Sequence, residues 1–438
     1  MEVLVMSQEE RKSFYGWVIV ATAFTVIFLH LSIRGSFAVF LKPMVKSLGW
    51  STAAVALGLS IFMFFYGITA FFAGRMVDKY GPRWVIFIHG CLLGLGMLLS
   101  SFARLPWHFY LTYGVMGGIG AGALYVPPTA MVRKWFMKDL GRALGLAVAG
   151  AGLGFFIAPI ASMYLIQSLS WQFAMKVFGI IIICGIAIAT IFMRGNPEEM
   201  GLKPYGYEEM LSAQKASGAG VAMSWSLGEA IKTSAFWVIV IMYFCSNLAE
   251  YIVFSHAVNY VVTDRGFNLR TATFIYSIIG LCFLFFGPIG GAIADRLGAK
   301  LHNEFLGRKI VLTVAYTTVA IASAWLSFVK TPWMFVIYVF LYGIPFGVYI
   351  PSVAAYVGTT FGRAAMGTIW GLTTVFGVAL GCGLGPYIGG ALRDATGNYQ
   401  AAIWLAFAVY VLAAIMALSV KKPQKATAAE AKADKAAA

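Results

Sequence analysis

The sequence predicts an all-α, polytopic membrane protein with twelve transmembrane helices in two pseudo-symmetric sets of six. Three observations lead to this fold class. First, 60% of the 438 residues are hydrophobic and only 11% are charged, whereas soluble domains carry about a quarter charged residues. Second, apolar runs long enough to cross a hydrocarbon core of about 30 Å recur along the whole chain. Third, one loop signature occurs twice, once in each half of the chain.

The apolar runs and the polar segments between them predict the boundaries of the elements. The helices are expected at about residues 15–40, 52–77, 84–104, 108–132, 142–167, 172–193, 235–262, 271–294, 309–328, 332–358, 364–390 and 398–420. We predict five regions along the chain: an N-terminal segment 1–14, a six-helix bundle 15–193, a linker 194–234, a second bundle 235–420 and a tail 421–438. The low-complexity tail is expected to be disordered.

Charge sets the expected orientation and excludes several functions. Most Lys and Arg residues lie in loops on the side of the N-terminus, so both termini and the linker are predicted to be cytoplasmic. The net charge of +15 therefore reflects membrane topology, and we expect no nucleic-acid partner. The first run lacks a cleavage site and should remain as the first span.

Catalytic and metal-binding patterns do not occur in the sequence. The five cysteines lie in apolar segments without CxxC or CxxH spacing, which argues against disulfides and metal binding. A Walker loop, an HExxH motif and a Ser-His-Asp constellation are also missing from the sequence. We therefore expect no metal, no cofactor and no enzymatic activity.

The repeated signature is G-x-x-x-D-[KR]-x-G. It reads "GRMVDKYGPR" at residues 74–83 and "GAIADRLGAK" at residues 291–300, in equivalent loops of the two halves. A second echo pairs "TYGVMGGIG" from Thr112 with "LYGIPFGVY" from Leu341, and the difference in offset predicts extra residues in "KLHNEFLGRK". Two matching halves predict a duplicated transporter fold.

The paired signature resembles the major facilitator superfamily over almost the whole chain. The resemblance implies a fold whose two bundles rock around a central site, with the loop aspartate pairing with basic loop residues in one conformation. The matching gating positions are Gly74, Asp78, Lys79, Gly81, Arg83, Gly291, Asp295, Arg296 and Gly298. The alternative is that these charges only anchor helix ends at the membrane interface.

A narrower resemblance is to the monocarboxylate transporters and the bacterial oxalate/formate exchangers. It is carried by "YGW" at residues 15–17, "WFMKDLGRALGLAVAGAGLG" at 135–154 and "NPEEMGLKPYG" at 196–206. The acidic residue that many animal members have at the first motif is missing here. The resemblance implies a transporter of small organic anions, with protons as a possible second partner, in a bacterial plasma (inner) membrane. We expect it to act as a monomer.

Few ionisable side chains lie well inside the predicted helices. Arg34 is the only such base, Glu250 the only such acid, and His30 and His256 accompany them. A charge at the bilayer centre costs at least about 2.5 kcal/mol on insertion scales, so such residues normally face a cavity or a partner. They are therefore the leading site candidates.

His30 and Arg34 are four residues apart and should share one helix face. Related transporters commonly have Lys at the position aligned with Arg34, where it handles substrate and protons. Arginine cannot release its proton at physiological pH, so Arg34 suits a fixed carboxylate clamp. The alternative is that Arg34 extends to the membrane interface.

Glu250 and His256 lie on the seventh predicted helix. Glu250 is a candidate proton site, because burial favours the neutral form of a carboxyl group; the alternative is an ion pair with Arg34. Bacterial relatives often have a substrate-contacting His at the position of His256, and Asn259 replaces the Pro that usually follows. We predict that His256 and Asn259 bind substrate and that His256 takes part in proton coupling, unless His256 is a hydrogen-bonded structural residue.

The related group usually has, in its eighth helix, an arginine that binds the substrate carboxylate, often four residues after an Asp or Asn. The positions aligned with these two residues are Phe283 and Gly287, so the eighth predicted helix lacks that arginine. The substrate is then either larger or more aromatic, with Phe283 lining the cavity beside Phe285 and Phe286, or bound chiefly by Arg34 and His256. Tyr125 in "GALYVPPTA" is a candidate hydrogen-bond donor to substrate; otherwise it packs in the core.

The sequence thus predicts a secondary active transporter of small organic anions, chiefly monocarboxylates, that works by alternating access. Proton symport and anion exchange both remain open. The alternatives are a drug exporter of the same fold and, from another class, a transporter-like receptor or sensor.

Overall fold

A computed structural model describes residues 8–207, 225–362 and 366–423 of the chain. Within these ranges twelve helices are long and apolar enough to cross a membrane, which confirms the predicted fold class. In chain order they are α1 Gln8–Leu48, α2 Thr52–Tyr80, α3 Pro82–Ser100, α4 Pro106–Trp135, α5 Leu140–Ser168, α6 Trp171–Phe192, α7 Ser234–Thr263, α8 Leu269–Lys300, α9 Glu304–Phe328, α10 Pro332–Phe361, α11 Gly367–Thr396 and α12 Gln400–Ser419.

Local sequence determines where most of these helices begin. A side-chain oxygen before the first turn accepts a backbone N–H, and so caps the helix, at α2, α6, α7, α8 and α9. Proline occupies the first turn of α3, α4 and α10, where its missing N–H costs no helical hydrogen bond. Gly81 joins α2 to α3 with φ of 77°, a conformation that glycine adopts without strain. This turn explains one glycine of the loop signature.

Two helices extend well beyond their predicted ends. α1 continues to Leu48 and α8 to Lys300, where the sequence indicated about residues 40 and 294. A helix need not end where its apolar run ends, since lysines near its termini can reach the interface. The extra residues expected as a loop in "KLHNEFLGRK" are therefore largely helical, with a short turn at 301–303.

Two other helices are irregular. Residues Tyr110–Gly117 of α4 and Val375–Cys382 of α11 form π-helical turns. α4 is also broken at residues 123–125, immediately before Pro127 and Pro128. Proline has no N–H to donate to the preceding turn, which accounts for the break. The break places Tyr125 at the start of a new helical segment.

The first six helices and the last six form the two expected bundles, which meet along three helix pairs. These pairs are α2 with α11, α5 with α8, and α1 with α7. Close approach depends on small residues: a Cβ at Gly152 of α5 would lie 2.8 Å from the carbonyl oxygen of Gly280 of α8. We call the surface formed by these three pairs the seam.

The two bundles are also joined by a carboxylate at one end of the seam. Asp394, near the end of α11, accepts the backbone N–H groups of Thr52 at 3.2 Å and Ala53 at 2.7 Å. These donors lie in the first turn of α2, where the helix dipole favours a negative charge. The contact therefore fastens the start of α2 to the opposite bundle.

The three motifs that carried the narrower resemblance lie together on the first bundle. The backbone of Tyr205, in the predicted linker, donates to Trp135 at 2.9 Å and accepts from Met137 at 2.9 Å. The Tyr15 hydroxyl donates to the Phe192 carbonyl at 2.8 Å, and the rings of Trp17 and Phe136 are 5.1 Å apart. The linker is therefore fastened to the first bundle at its start.

The predicted region boundaries at residues 15, 193, 235 and 420 remain predictions. Parts of the predicted N-terminal segment, linker and tail, namely residues 1–7, 208–224 and 424–438, lie outside the described residues.

Candidate functional site

Arg34 lies on the seam, partly buried, and contacts tyrosines from both bundles. Its Nε donates to the hydroxyl of Tyr251 on α7 at 2.6 Å, and its Nη2 donates to the same oxygen. The guanidinium carbon is 5.2 Å from the ring centre of Tyr66 on α2 and 5.4 Å from that of Tyr251. Both distances suit cation–π contact. Arg34, Tyr66 and Tyr251 are called the Arg34 cluster below.

His30 packs against the same tyrosine as Arg34. Its ring is stacked on Tyr66 with centroids 5.4 Å apart, as expected for two side chains on one helix face. The side chain is 0% exposed, and neither ring nitrogen has a hydrogen-bond partner among the described residues. In this conformation His30 is fully enclosed, whereas Arg34 is only partly buried.

Glu250 is buried in the second bundle, with 5% exposure. Its Oε2 accepts a hydrogen bond from the Tyr349 hydroxyl on α10 at 2.9 Å. Among the described residues no carboxylate oxygen lies within 4.0 Å of an Arg34 guanidinium nitrogen. This conformation therefore has no direct ion pair between Arg34 and Glu250, which was the alternative that the sequence left open. Each of the two charged groups is bonded instead to a neutral tyrosine hydroxyl.

His256 and Asn259 have other partners. His256 Nε2 lies 2.9 Å from the Pro386 carbonyl, which can only accept, so this nitrogen carries the proton. Its ring is 5.2 Å from Tyr399. These contacts fit a structural histidine within the second bundle. Asn259 donates to the Ala38 carbonyl of α1 at 2.8 Å and so adds a second hydrogen bond across the seam near Arg34.

Phe283 belongs to a group of four aromatic side chains beside the Arg34 cluster. Its ring lies 6.1 Å from Phe155 of α5 and 5.6 Å from Phe346 of α10, and Phe254 of α7 completes the group. Phe254 is also 5.9 Å from the ring of Tyr251. These four residues are called the aromatic cluster below. Through Phe283 it lies in the part of α8 that aligns with the arginine region of the related group.

The other aromatic candidates lie apart from one another. Phe285 is 61% exposed and does not join the aromatic cluster. Tyr125 is partly buried and packs against the hydrophobic core that contains Phe155 and Phe283.

Among the described residues, the charged side chains of the two signature loops form no ion pair between the bundles. Asp295 Oδ1 accepts from Arg308 Nη2 at 2.8 Å, and both residues belong to the second bundle. Asp78 is exposed. The described residues show no salt bridge between the two bundles at these loops. The expected gating contact therefore belongs to another conformation or does not form.

Sequence reasoning missed Phe155 of the aromatic cluster and the partners of the charged residues, which are Tyr66, Tyr251, Tyr349 and Arg308. One signal was available, because a buried tyrosine hydroxyl generally needs a hydrogen-bond partner. Which distant helix supplies that partner was not evident from helical periodicity. Among the described residues, no group of three or more His, Cys, Asp or Glu side chains is placed to hold a metal ion.

Comparison with known proteins gives a consistent result. A family model described as "Major Facilitator Superfamily" matches residues 23–377 and 303–438. Monocarboxylate transporter 13 of Rattus norvegicus is 25% identical over 90% of this chain and 86% of its own length. The chloroplastic ascorbate transporter of Arabidopsis thaliana is 27% identical over 73% of this chain, and the match spans only 60% of that longer protein. The crystal structure of the nucleoside transporter NupG superposes with a TM-score of 0.71 at 14% identity, covering 92% of this chain and 100% of that one, which shows a shared fold.

Proposed function

The chain belongs to the Major Facilitator Superfamily, and on that premise we propose that it is a secondary active transporter of small organic anions, chiefly monocarboxylates. That it is a multi-pass membrane transporter of this superfamily, and not an enzyme, follows from the family and the fold. The resemblance that the loop signatures predicted is thereby confirmed. The substrate class and the mechanism are the proposal.

Arg34 is the observation that carries this proposal. It is a permanent cation at the seam between the two bundles, where transporters of this kind bind substrate. Its hydrogen-bond partner is a neutral hydroxyl, and no carboxylate of the described residues forms a direct ion pair with it. Guanidinium pairs with carboxylate through two parallel hydrogen bonds, which makes a carboxylate the best-fitting ligand group.

The aromatic cluster supports a more specific substrate. A carboxylate on Arg34 would have its hydrocarbon part next to Tyr251 and Phe254, which lead to Phe155 and Phe283. Aromatic walls favour a flat or apolar body. We therefore propose that aromatic or branched monocarboxylates bind better than very small ones such as formate.

Protons are the proposed coupling partner, and Glu250 is their proposed site. It is the only acid whose side chain is buried among the described residues, and Tyr349 holds its carboxyl group in place. Mechanistically, anion and proton would bind at separate positions in one conformation and be released after the bundles rock. We further propose that the signature loops pair across the seam in the alternate conformation.

The proposed setting is a bacterial inner membrane, with both termini in the cytoplasm and the monomer as the functional unit. Green fluorescent protein and alkaline phosphatase fused after residue 438 test the orientation. With a cytoplasmic C-terminus, we expect the green fluorescent protein fusion to fluoresce and the alkaline phosphatase fusion to be inactive. An active phosphatase fusion would reverse the assigned topology.

Counterflow in proteoliposomes tests the substrate class. Liposomes containing purified protein are loaded with benzoate, pyruvate, lactate or formate and assayed for uptake of the labelled acid. We expect uptake in the wild type, a loss of at least about thirtyfold in Arg34→Ala, since a bond between charged groups is worth about 2 kcal/mol or more, and partial retention in Arg34→Lys. Arg104→Ala, at an exposed arginine outside the site, is the matched control.

Two results would contradict the proposal. Full uptake of every accepted acid by Arg34→Ala would show that Arg34 does not bind the substrate carboxylate. Transport of cationic dyes without any organic acid would instead favour the drug exporter.

A further inference from the structure

The two hydrogen bonds between Arg34 and Tyr251 have an unusual geometry. A guanidinium binds a carboxylate through an edge with two parallel N–H groups, and the Nε–Nη2 pair is one such edge. In this protein both donors of that edge point at a single oxygen, the Tyr251 hydroxyl. The hydroxyl therefore stands where the two carboxylate oxygens of a ligand would be.

Tyr251 and Arg34 belong to different bundles. Arg34 is on α1 of the first bundle and Tyr251 on α7 of the second, so their hydrogen bonds cross the seam. Tyr66, by contrast, lies on α2 of the same bundle as Arg34 and contacts the guanidinium through its ring face. Losing the Tyr251 hydroxyl would leave the Tyr66 contact in place.

We propose that Tyr251 is an internal competitor of the substrate: a carboxylate takes over the Nε–Nη2 edge of Arg34, displaces the Tyr251 hydroxyl and thereby removes a hydrogen bond between the two bundles. This inference rests on the proposed anion-transport function. It assigns Tyr251 as a positioning residue that links binding at Arg34 to separation of the bundles.

The proposal also explains selectivity for charged ligands. A neutral alcohol or amide would exchange one hydrogen bond to the guanidinium for another of similar strength, whereas a carboxylate adds the attraction of its opposite charge and accepts two parallel hydrogen bonds. Only an anion therefore gains enough free energy to displace the tyrosine. The seam hydrogen bond from Asn259 to Ala38 does not involve Arg34 and would persist after displacement.

Tyr251→Phe distinguishes a competitor from an ordinary ligand contact by the sign of its effect. Removing a competing hydroxyl strengthens carboxylate binding, whereas removing a hydroxyl that donates to the substrate weakens it. Calorimetric titration of purified protein with benzoate gives the dissociation constant directly. We expect Tyr251→Phe to bind benzoate about fivefold more tightly than wild type, because a lost competing hydrogen bond corresponds to roughly one decade or less in affinity.

Tyr356→Phe is the matched control. Tyr356 is another buried tyrosine of the second bundle, and its hydroxyl has no hydrogen-bond partner among the described residues. We expect its benzoate affinity to stay within about twofold of wild type, the size typical of a substitution that breaks no interaction. Weaker binding in Tyr251→Phe would make Tyr251 a direct substrate contact, and an unchanged constant would show that its hydroxyl does not compete; either result overturns the proposal.

A double-mutant cycle shows whether the effect acts through the Arg34 edge. Lysine has no paired N–H edge, so Tyr251→Phe should produce no gain in benzoate affinity in the Arg34→Lys background. An equal gain in both backgrounds would overturn the displacement mechanism. If wild type and Tyr356→Phe bind none of the four acids, the proposed function itself fails; if they bind and Tyr251→Phe behaves like them, only this inference fails.

Discussion

Arg34, a partly buried cation, and Glu250, a buried acid, are each bonded to a tyrosine hydroxyl, yet their surroundings differ in one respect. The partner of Arg34, Tyr251, comes from the opposite bundle, whereas the partner of Glu250, Tyr349, comes from the same bundle. The cation therefore lies on the seam, the surface that the proposed alternating access would open. The acid lies inside one bundle.

This difference indicates how two ligands could be handled separately. A direct ion pair would have neutralised both groups and left neither available for a ligand. Because each has a neutral partner instead, the proposed anion site at Arg34 and the proposed proton site at Glu250 are not tied up in a direct ion pair with each other. A ligand at Arg34 changes contacts between the bundles, while protonation of Glu250 changes contacts within one of them.

After the loss of uptake in Arg34→Ala, the largest expected effect comes from removing the proposed proton site. One pH unit corresponds to about 1.4 kcal/mol, so a one-to-one symporter with an inward gradient of one unit concentrates its substrate up to about tenfold. In Glu250→Gln we expect this ratio to fall to about one, with benzoate counterflow retained, because glutamine cannot carry a proton. Uptake of labelled benzoate with and without the gradient measures both quantities.

Glu304→Gln is the control for this experiment, since Glu304 is an exposed acid at the start of α9. It should accumulate benzoate as the wild type does. Unchanged accumulation in Glu250→Gln would exclude Glu250 as the coupling site. A wild type without any gradient-driven accumulation would favour anion exchange.

The next effect comes from the tyrosine that holds Glu250. The Tyr349 hydroxyl donates to the carboxylate and so stabilises its charged form. In Tyr349→Phe the charged form loses this bond, the carboxyl group keeps its proton to higher pH, and the alkaline limb of the pH profile of uptake should move up by about one unit. A shift to lower pH, or no shift relative to Tyr356→Phe, would contradict this role of Tyr349.

Most of the fold was predictable from the sequence, because lipid imposes a strong constraint on composition. Uncharged runs of sufficient length located all twelve spans. The prediction was least accurate at the ends of α1 and α8, where the helix continues after the apolar run has ended. Helix boundaries depend on caps and turns that hydrophobicity does not record.

The candidate site was only partly predictable. The rarity of charge inside the helices identified Arg34 and Glu250, and the spacing of His30 and Arg34 indicated their shared face. The sequence did not indicate that Tyr251 would meet Arg34 or that Asn259 would donate to α1. Those contacts depend on the packing of two bundles whose helices are about 220 residues apart in sequence.

A smaller effect on the rate of transport is expected at the signature loops, where one aspartate is bonded within its bundle and the other is exposed. Asp295 is already bonded to Arg308 in its own bundle, whereas Asp78 is exposed. If Asp78 pairs across the seam in the alternate conformation, Asp78→Asn should slow benzoate exchange by about threefold, since an exposed ion pair contributes at most about 1 kcal/mol. The dissociation constant for benzoate should not change. A slower exchange in Asp295→Asn than in Asp78→Asn would reverse the assignment.

The smallest effect is expected at Asn259, which forms another of the hydrogen bonds across the seam. Its amide is buried, 2% exposed, and donates to the Ala38 carbonyl rather than facing Arg34. Asn259→Ala should therefore lower the thermal midpoint by a few degrees, as expected for the loss of about 1 kcal/mol, and leave benzoate affinity within about twofold of wild type. Thermal unfolding and calorimetric titration measure the two effects. A tenfold loss of affinity with an unchanged midpoint would restore Asn259 as a substrate-binding residue, and would mean that the α1–α7 contact rearranges before the anion binds.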